Sequence, residues 1–129
     1  MSEEFNLEII SPDKTILSSQ AKEVIIPSYE GEMGILKDHI PLITFLRPGL
    51  IKILNESEKI LFVEEGTVEF AENNLLILTS TVKELSKIDK NSINSMIEEA
   101  EKKLEDSEVS DKEKYLLYYR IQTLKNFNQ

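Results

Sequence analysis

The spacing of apolar residues changes once along this chain, near residue 85, and that change confines the fold to two unlike parts. Before it the pattern has a period of two. Phe5, Leu7 and Ile9 alternate with Asn6 and Glu8, as in a strand with one buried face. Pro12-Asp13 supplies a turn, Val24-Ile25-Ile26 forms a short β-branched run closed by Pro27, and Leu50, Ile51, Ile53 and Leu54 form another ended by Asn55-Glu56. Ile60 to Val63, then Val68 and Phe70 after Gly66, then Leu75 to Thr79 after Asn73-Asn74 bring the named runs to six, of seven or eight recognisable in all. Short strands with frequent turn signals predict an antiparallel sandwich or barrel. No helical pattern long enough for a parallel α/β crossover intervenes.

After Leu85 the period lengthens. Ile93, Met96, Ile97, Ala100 and Leu104 fall on one helical stripe, opposite Glu98, Glu99, Glu101, Lys102, Lys103 and Glu105. Asp89 stands where an N-cap is wanted. After a short polar link, Ser110-Asp111-Lys112-Glu113 fits a capping box and opens a second helix carrying Leu117, Ile121 and Leu124, with Tyr115, Tyr118 and Tyr119 beside them. Two helices on a short link predict an antiparallel hairpin. The domain reading is a β-sandwich over 1–85 and a helical hairpin over 86–129. Its stripe is short for the length of chain it must order, so the hairpin is expected to dock only marginally.

Composition excludes several kinds of function. There is no cysteine and a single histidine, so disulfides, thiolate metal sites and a cysteine nucleophile are out of reach. The net charge of −9 opposes binding to nucleic acid. No apolar run approaches a bilayer span, and Met1-Ser2-Glu3-Glu4 is not a signal peptide, so the chain reads as soluble and cytoplasmic. The charge is unevenly spread: residues 1–84 carry 7 bases and 15 acids, whereas 111–129 carry 4 bases and 2 acids.

The most specific stretch runs from Tyr29 to Gly49: Tyr-Glu-Gly-Glu-Met-Gly-Ile-Leu-Lys-Asp-His-Ile-Pro-Leu-Ile-Thr-Phe-Leu-Arg-Pro-Gly. It resembles the epsilon subunits of bacterial F-type ATP synthases, whose pattern EGxxGIxxxHxPLxTxxxPG is matched at every fixed position. The hairpin around Ser11-Pro12 and the segment Gly66 to Leu78 resemble the same family, as does the order of β part and helical hairpin. The resemblance implies about ten strands and a non-catalytic role on the central stalk. There the sandwich packs on the gamma subunit and the c-ring, and helps couple proton-driven rotation to ATP synthesis. In many such proteins the hairpin leaves the sandwich, contacts the alpha and beta subunits and restrains ATP hydrolysis. The working place so implied is the cytoplasmic face of the bacterial inner membrane, reached peripherally through partners.

Candidate site residues follow residue by residue. Glu30, Glu32, Lys37, Asp38 and His39, read as one polar loop, are the candidates for the c-ring contact. Gly31 and Gly34 are expected to supply backbone angles other residues disfavour. The alternative for Glu30, Glu32, Asp38 and His39, a metal cluster, lacks ligand spacing. Lys112, Lys114, Arg120 and Lys125 are the candidates for a contact with the beta subunit, against the plainer reading of a solvated helix face. Some relatives bind ATP through an Ile-Asp-x-x-Arg-Ala motif. Here Ile88-Asp89-Lys90-Asn91 begins it, but Ser92 and Ile93 replace Arg and Ala. That leaves Ile88, Asp89 and Arg120 as ATP-sensing candidates without the motif's guanidinium, and no cofactor is expected. Two rival readings are a free-standing enzyme using Glu30, Glu32 and Asp38, and a nucleotide-sensing module over residues 88–125.

Overall fold

The computed structural model describes residues 3–128. Met1, Ser2 and Gln129, which belong to the N-terminal reading and to the ends of the two domain ranges, lie outside the described residues. Ten strands come first: β1 (Phe5–Ile10), β2 (Thr15–Ala21), β3 (Glu23–Ser28), β4 (Gly31–Leu36), β5 (Leu42–Leu46), β6 (Gly49–Leu54), β7 (Glu58–Val63), β8 (Gly66–Ala71), β9 (Asn74–Leu78) and β10 (Val82–Lys83). A 3-10 turn over Leu85–Lys87 leads to α1 (Lys90–Leu104) and α2 (Asp111–Phe127). The expected sandwich and hairpin are both present.

The strands form one sheet curled into two layers. β3 pairs with β4 along its whole length on one edge. On the other edge it pairs with β6 through Glu23–Ile25 and with β5 only through Ser28 and Leu46. One layer is therefore β4-β3-β6-β7-β10 and the other β5-β8-β9-β1-β2, joined at the Ser28–Leu46 corner. The pairing departs from the antiparallel expectation at one place, since β1 runs parallel to β9, with Leu7 level with Leu75.

Strands β2, β4, β5 and the two-residue β10 do not stand out in the sequence. β2 is an edge strand whose Thr15, Ser18, Ser19 and Gln20 are exposed, so little apolar alternation marks it. β4 carries two glycines. Gly31 has a φ of +120°, as expected, but Gly34 is not in the left-handed region. It lies instead in the strand opposite Ile25, where an added β-carbon would stand 3.1 Å from the Glu23 carboxylate. Segment 31–36 is thus a strand rather than part of a loop.

Inward-facing side chains of the two layers make the first core. Leu7, Ile9, Val24, Ile26, Ile35, Ile51, Val68 and Ile77 are buried in it, and Phe5 meets Phe70 edge to face with ring centroids 5.6 Å apart. A second core lies outside the first layer. Phe62 points outward from β7 yet is buried, because Ile93, Ile97, Ala100, Leu117, Ile121 and Leu124 cover it. The helical stripes read from the sequence are the residues that make this contact. Both caps form as expected: the Asp89 carboxylate accepts from Ser92 N at 2.8 Å, and Ser110 Oγ accepts from Glu113 N at 3.1 Å.

The two phenylalanines should therefore fail differently. Phe70→Ala should cost the sandwich about 3–5 kcal/mol in denaturant unfolding. Phe62→Ala should expose the hairpin to limited proteolysis while leaving the sandwich transition nearly in place.

Candidate interaction surfaces

The five residues proposed for the c-ring do not form one compact loop. They lie along the edge strand β4 and the turns at its two ends. At one end, Ser28 Oγ donates to Gly31 O at 2.7 Å and accepts from Glu30 N at 3.2 Å, which fixes the Tyr29-Glu30 turn. Glu32 follows on β4 and is exposed. At the other end, His39 N donates to Leu36 O at 3.1 Å and closes the turn carrying Lys37 and Asp38. Six residues of strand separate the ends by about 20 Å.

The Asp38 turn is locked to the β8–β9 turn. Asp38 N donates to Asn73 Oδ1 at 2.7 Å, and Asn73 Nδ2 donates to Asp38 Oδ1 at 3.0 Å. Asp38, Glu72 and Asn73 all have positive φ, at 68°, 50° and 61°. Side-chain hydrogen bonds offset the strain of that region. His39 is half-buried, its ring edge-on to Phe70 at 5.9 Å and its Nδ1 2.7 Å from Ile40 O. That geometry needs the neutral ring's proton on Nδ1 and leaves Nε2 open as an acceptor. Glu30 and Glu32 stand apart from Asp38, so the three carboxylates of the enzyme reading do not converge. Among the described residues, no group of three or more acids and histidines is arranged to hold a metal ion.

What the sequence reading missed is apolar. Leu36, Ile40 and Ile43 are exposed beside the Asp38 turn, Ile43 at 76%. The outer face of the second layer continues this surface. Ile43 and Phe45 stand level with Glu69 and Thr67 of β8, which stand level with Leu76 and Leu78 of β9. Phe45 and Leu78 are 58% and 44% exposed. A hollow of about 460 Å³ lined by Ile10, Pro12, Gly66 and Leu78 lies at the end of this face. The available signal was the alternation Ile43-Thr44-Phe45-Leu46, in which the larger alternate pair faces out.

The four bases of the last helix do not share one role. Lys112 and Lys114 are exposed. Lys125 pairs with Glu101 of α1 at 3.1 Å, and Arg120 Nε lies 3.1 Å from Glu64 of the sheet. That approach is not aligned for a hydrogen bond, so the contact is coulombic. The ATP-sensing candidates are likewise not brought together. Ile88 packs against the hairpin core and Asp89 caps α1 at its N-terminus. Arg120 lines a cavity with Lys103, near the other end of a 15-residue helix about 22 Å long.

Residues 4–84 match the family described as ATP synthase, Delta/Epsilon chain, beta-sandwich domain. The chain belongs to that family of ATP synthase subunits. Among curated relatives, the ATP synthase epsilon chain of Pelagibacter ubique is 48% identical over 130 residues, spanning 99% of this chain and 100% of that one. The chloroplastic epsilon chain of Gracilaria tenuistipitata is 36% identical over 84% of this chain and 81% of its own. In fold, the chain is similar to one in the Euglena gracilis mitochondrial ATP synthase OSCP/F1/c-ring assembly, with TM-score 0.85, 21% identity, and coverage of 100% of this chain and 84% of that one. It is also similar to a chain of the Tetrahymena thermophila central stalk/c-ring structure, with TM-score 0.70, 17% identity and 96% coverage of each. Among the described residues, no helix is long and apolar enough to cross a membrane.

Asp89 has a pH signature. The hydrogen bond from Ser92 N, then that from Ser92 Oγ, holds its carboxyl below the usual aspartate range. A pKa lower in the folded state means the cap stabilises fully above the ordinary carboxylate range, begins to fade as pH enters that range and is lost as pH falls through the lowered folded value. Asp89→Asn keeps the acceptor oxygen, so helicity followed by circular dichroism should fall less steeply on acidification than in the parent. An unchanged acid profile would contradict this.

Proposed function

We infer that this chain is the epsilon subunit of an F-type ATP synthase. It is a non-catalytic central-stalk component that helps couple rotation of gamma and the c-ring to ATP synthesis. The observation that carries the reading is the asymmetry of the sandwich. Its first layer is covered by the chain's own hairpin. The second layer bears an uncovered apolar face on Ile43, Phe45 and Leu78, the kind of surface that marks a partner contact.

In this reading gamma takes the outer face of the second layer. The polar loops of the c-ring meet the edge carrying Glu30, Glu32, Lys37, Asp38 and His39, and the rigid Asp38–Asn73 lock suits a contact that must keep its register. Residues 1–85 carry these stalk contacts, and residues 86–129 form a separate regulatory unit. Lys112 and Lys114 of that unit are free to meet the beta subunit with the hairpin docked, whereas Arg120 and Lys125 reach it only after exchanging Glu64 and Glu101. ATP has no part in holding the hairpin, a reading supported by the separation of Asp89 from Arg120. The subunit works peripherally at the cytoplasmic face of a bacterial inner membrane, attached through its partners.

Tagged protein should capture gamma together with the alpha–beta hexamer, and failure to do so would remove the main reading. Ile43→Lys with Phe45→Lys should weaken capture of gamma at least about ten-fold while the sandwich stays folded, since each change puts a charge into an apolar contact. Deleting 88–129 should leave assembly and coupling largely intact. Loss of coupling in a truncated chain whose sandwich is still folded would overturn the division of labour.

A further inference from the structure

Besides the second core and the Arg120–Glu64 contact, the hairpin meets the sandwich at one small polar and aromatic cluster. The Arg47 guanidinium carbon sits 3.9 Å above the ring centre of Tyr119, and its Nη1 lies 3.4 Å from the Tyr115 hydroxyl. Tyr115 in turn stacks on Tyr29, with centroids 5.5 Å apart and planes 9° from parallel, and meets Tyr119 edge-on at 4.9 Å. All four side chains belong to one cluster, two from connections between strands of the sandwich and two from successive turns of α2. Its base is firm. Arg47 N donates to Pro27 O at 3.0 Å and Tyr29 N to Phe45 O at 3.2 Å, around the corner where the two layers join. Gly49 allows that corner to close, since a β-carbon there would overlap the Pro27 ring.

We propose that Tyr29, Arg47, Tyr115 and Tyr119 form a clasp that sets how much of the hairpin is docked. The proposal rests on the reading of the hairpin as a mobile unit and names what governs its release. A guanidinium held over an aromatic face and capped by a hydroxyl is attracted by the ring's quadrupole. At this half-buried site it is screened by salt much less than an exposed ion pair. Arg47 cannot be replaced by lysine without loss, because an ammonium does not stack on one ring while reaching the hydroxyl of the next. The clasp needs no nucleotide. Its strength depends only on residues of this chain and on whatever displaces Tyr29 or Arg47 from the corner.

The absence of cysteine makes the test clean. Lys52 and Asn126 line one cavity of about 360 Å³ between β6 and α2; Lys52→Cys with Asn126→Cys takes a donor and an acceptor dye in the full chain, and transfer efficiency reports the docked fraction. Arg47→Ala and Tyr119→Leu should each raise the undocked to docked ratio roughly ten-fold. Tyr119→Phe should stay near the parent, because it keeps the ring face. The double variant Arg47→Ala with Tyr119→Leu should exceed either single one by little, since both remove the same contact. Raising salt to about 0.5 M should change the parent ratio less than two-fold. Amide spectra of β1 and β9 check that the sandwich stays folded. If Phe62→Ala releases the hairpin and Arg47→Ala does not, or if the two clasp substitutions add in full, the clasp is wrong and the mobile hairpin stands. If Phe62→Ala does not release it either, both fall.

Discussion

One strand with apolar side chains on both faces organises this molecule. In β7, Leu61 and Val63 point into the sandwich and Phe62 points out, and all three are buried, at 2%, 0% and 1% exposure. A sheet bounded by water on one side has no use for a buried outward phenylalanine. The first layer must therefore be covered from outside, and the hairpin is that cover. From this follow the second core, the antiparallel helices and the placement of α2 over the β5–β6 corner. The outer face of the second layer has no such cover within the chain. The two faces of one sandwich thus have opposite fates, one closed internally and one left for partners, and this asymmetry fits the epsilon-type family to which the chain belongs.

Much of the fold was legible because periodicity states which face is buried. β1 and the middle of β8 alternate, and the stripe from Ile93 to Leu104 is the face that meets the sheet. Four strands escaped for different physical reasons. β2 is a polar edge, β4 is interrupted by glycine, β5 turns its larger alternate side chains toward solvent, and β10 is only two residues long. Pairing across distance was also invisible, since nothing in the local sequence around Phe5 says that β1 lies parallel to β9.

The interaction surfaces were legible in kind rather than in arrangement. The charged residues around His39 were found by their resemblance to a family pattern, but their spread along β4 depends on Gly31–Leu36 being a strand. The lock between Asp38 and Asn73 joins turns 35 residues apart. The bases of α2 looked equivalent as a list, yet Glu101 and Glu64 engage two of them and leave Lys112 and Lys114 exposed. Charge in a sequence counts side chains, whereas charge available to a partner is what remains after the fold has used some. The exposed apolar residues went unread because isolated surface leucine or isoleucine is ordinary, and only the register across β5, β8 and β9 puts them on one face, with Thr67 and Glu69 between them.

The parallel pairing of β1 with β9 also bears on how the protein is made. Asn6 and Asn74, whose side chains are 2.9 Å apart, are separated by 68 positions. As the chain leaves the ribosome, the first strand pairs with β2 but keeps its other edge open until almost the whole sandwich has been synthesised. Closure of the second layer is therefore a late, non-local event of the sort that slows folding. The hairpin emerges only afterwards, onto a layer it can cover. The nascent subunit passes through a stage in which an edge and the outward Phe62 are both bare, and there the cell's chaperones have most reason to attend to it.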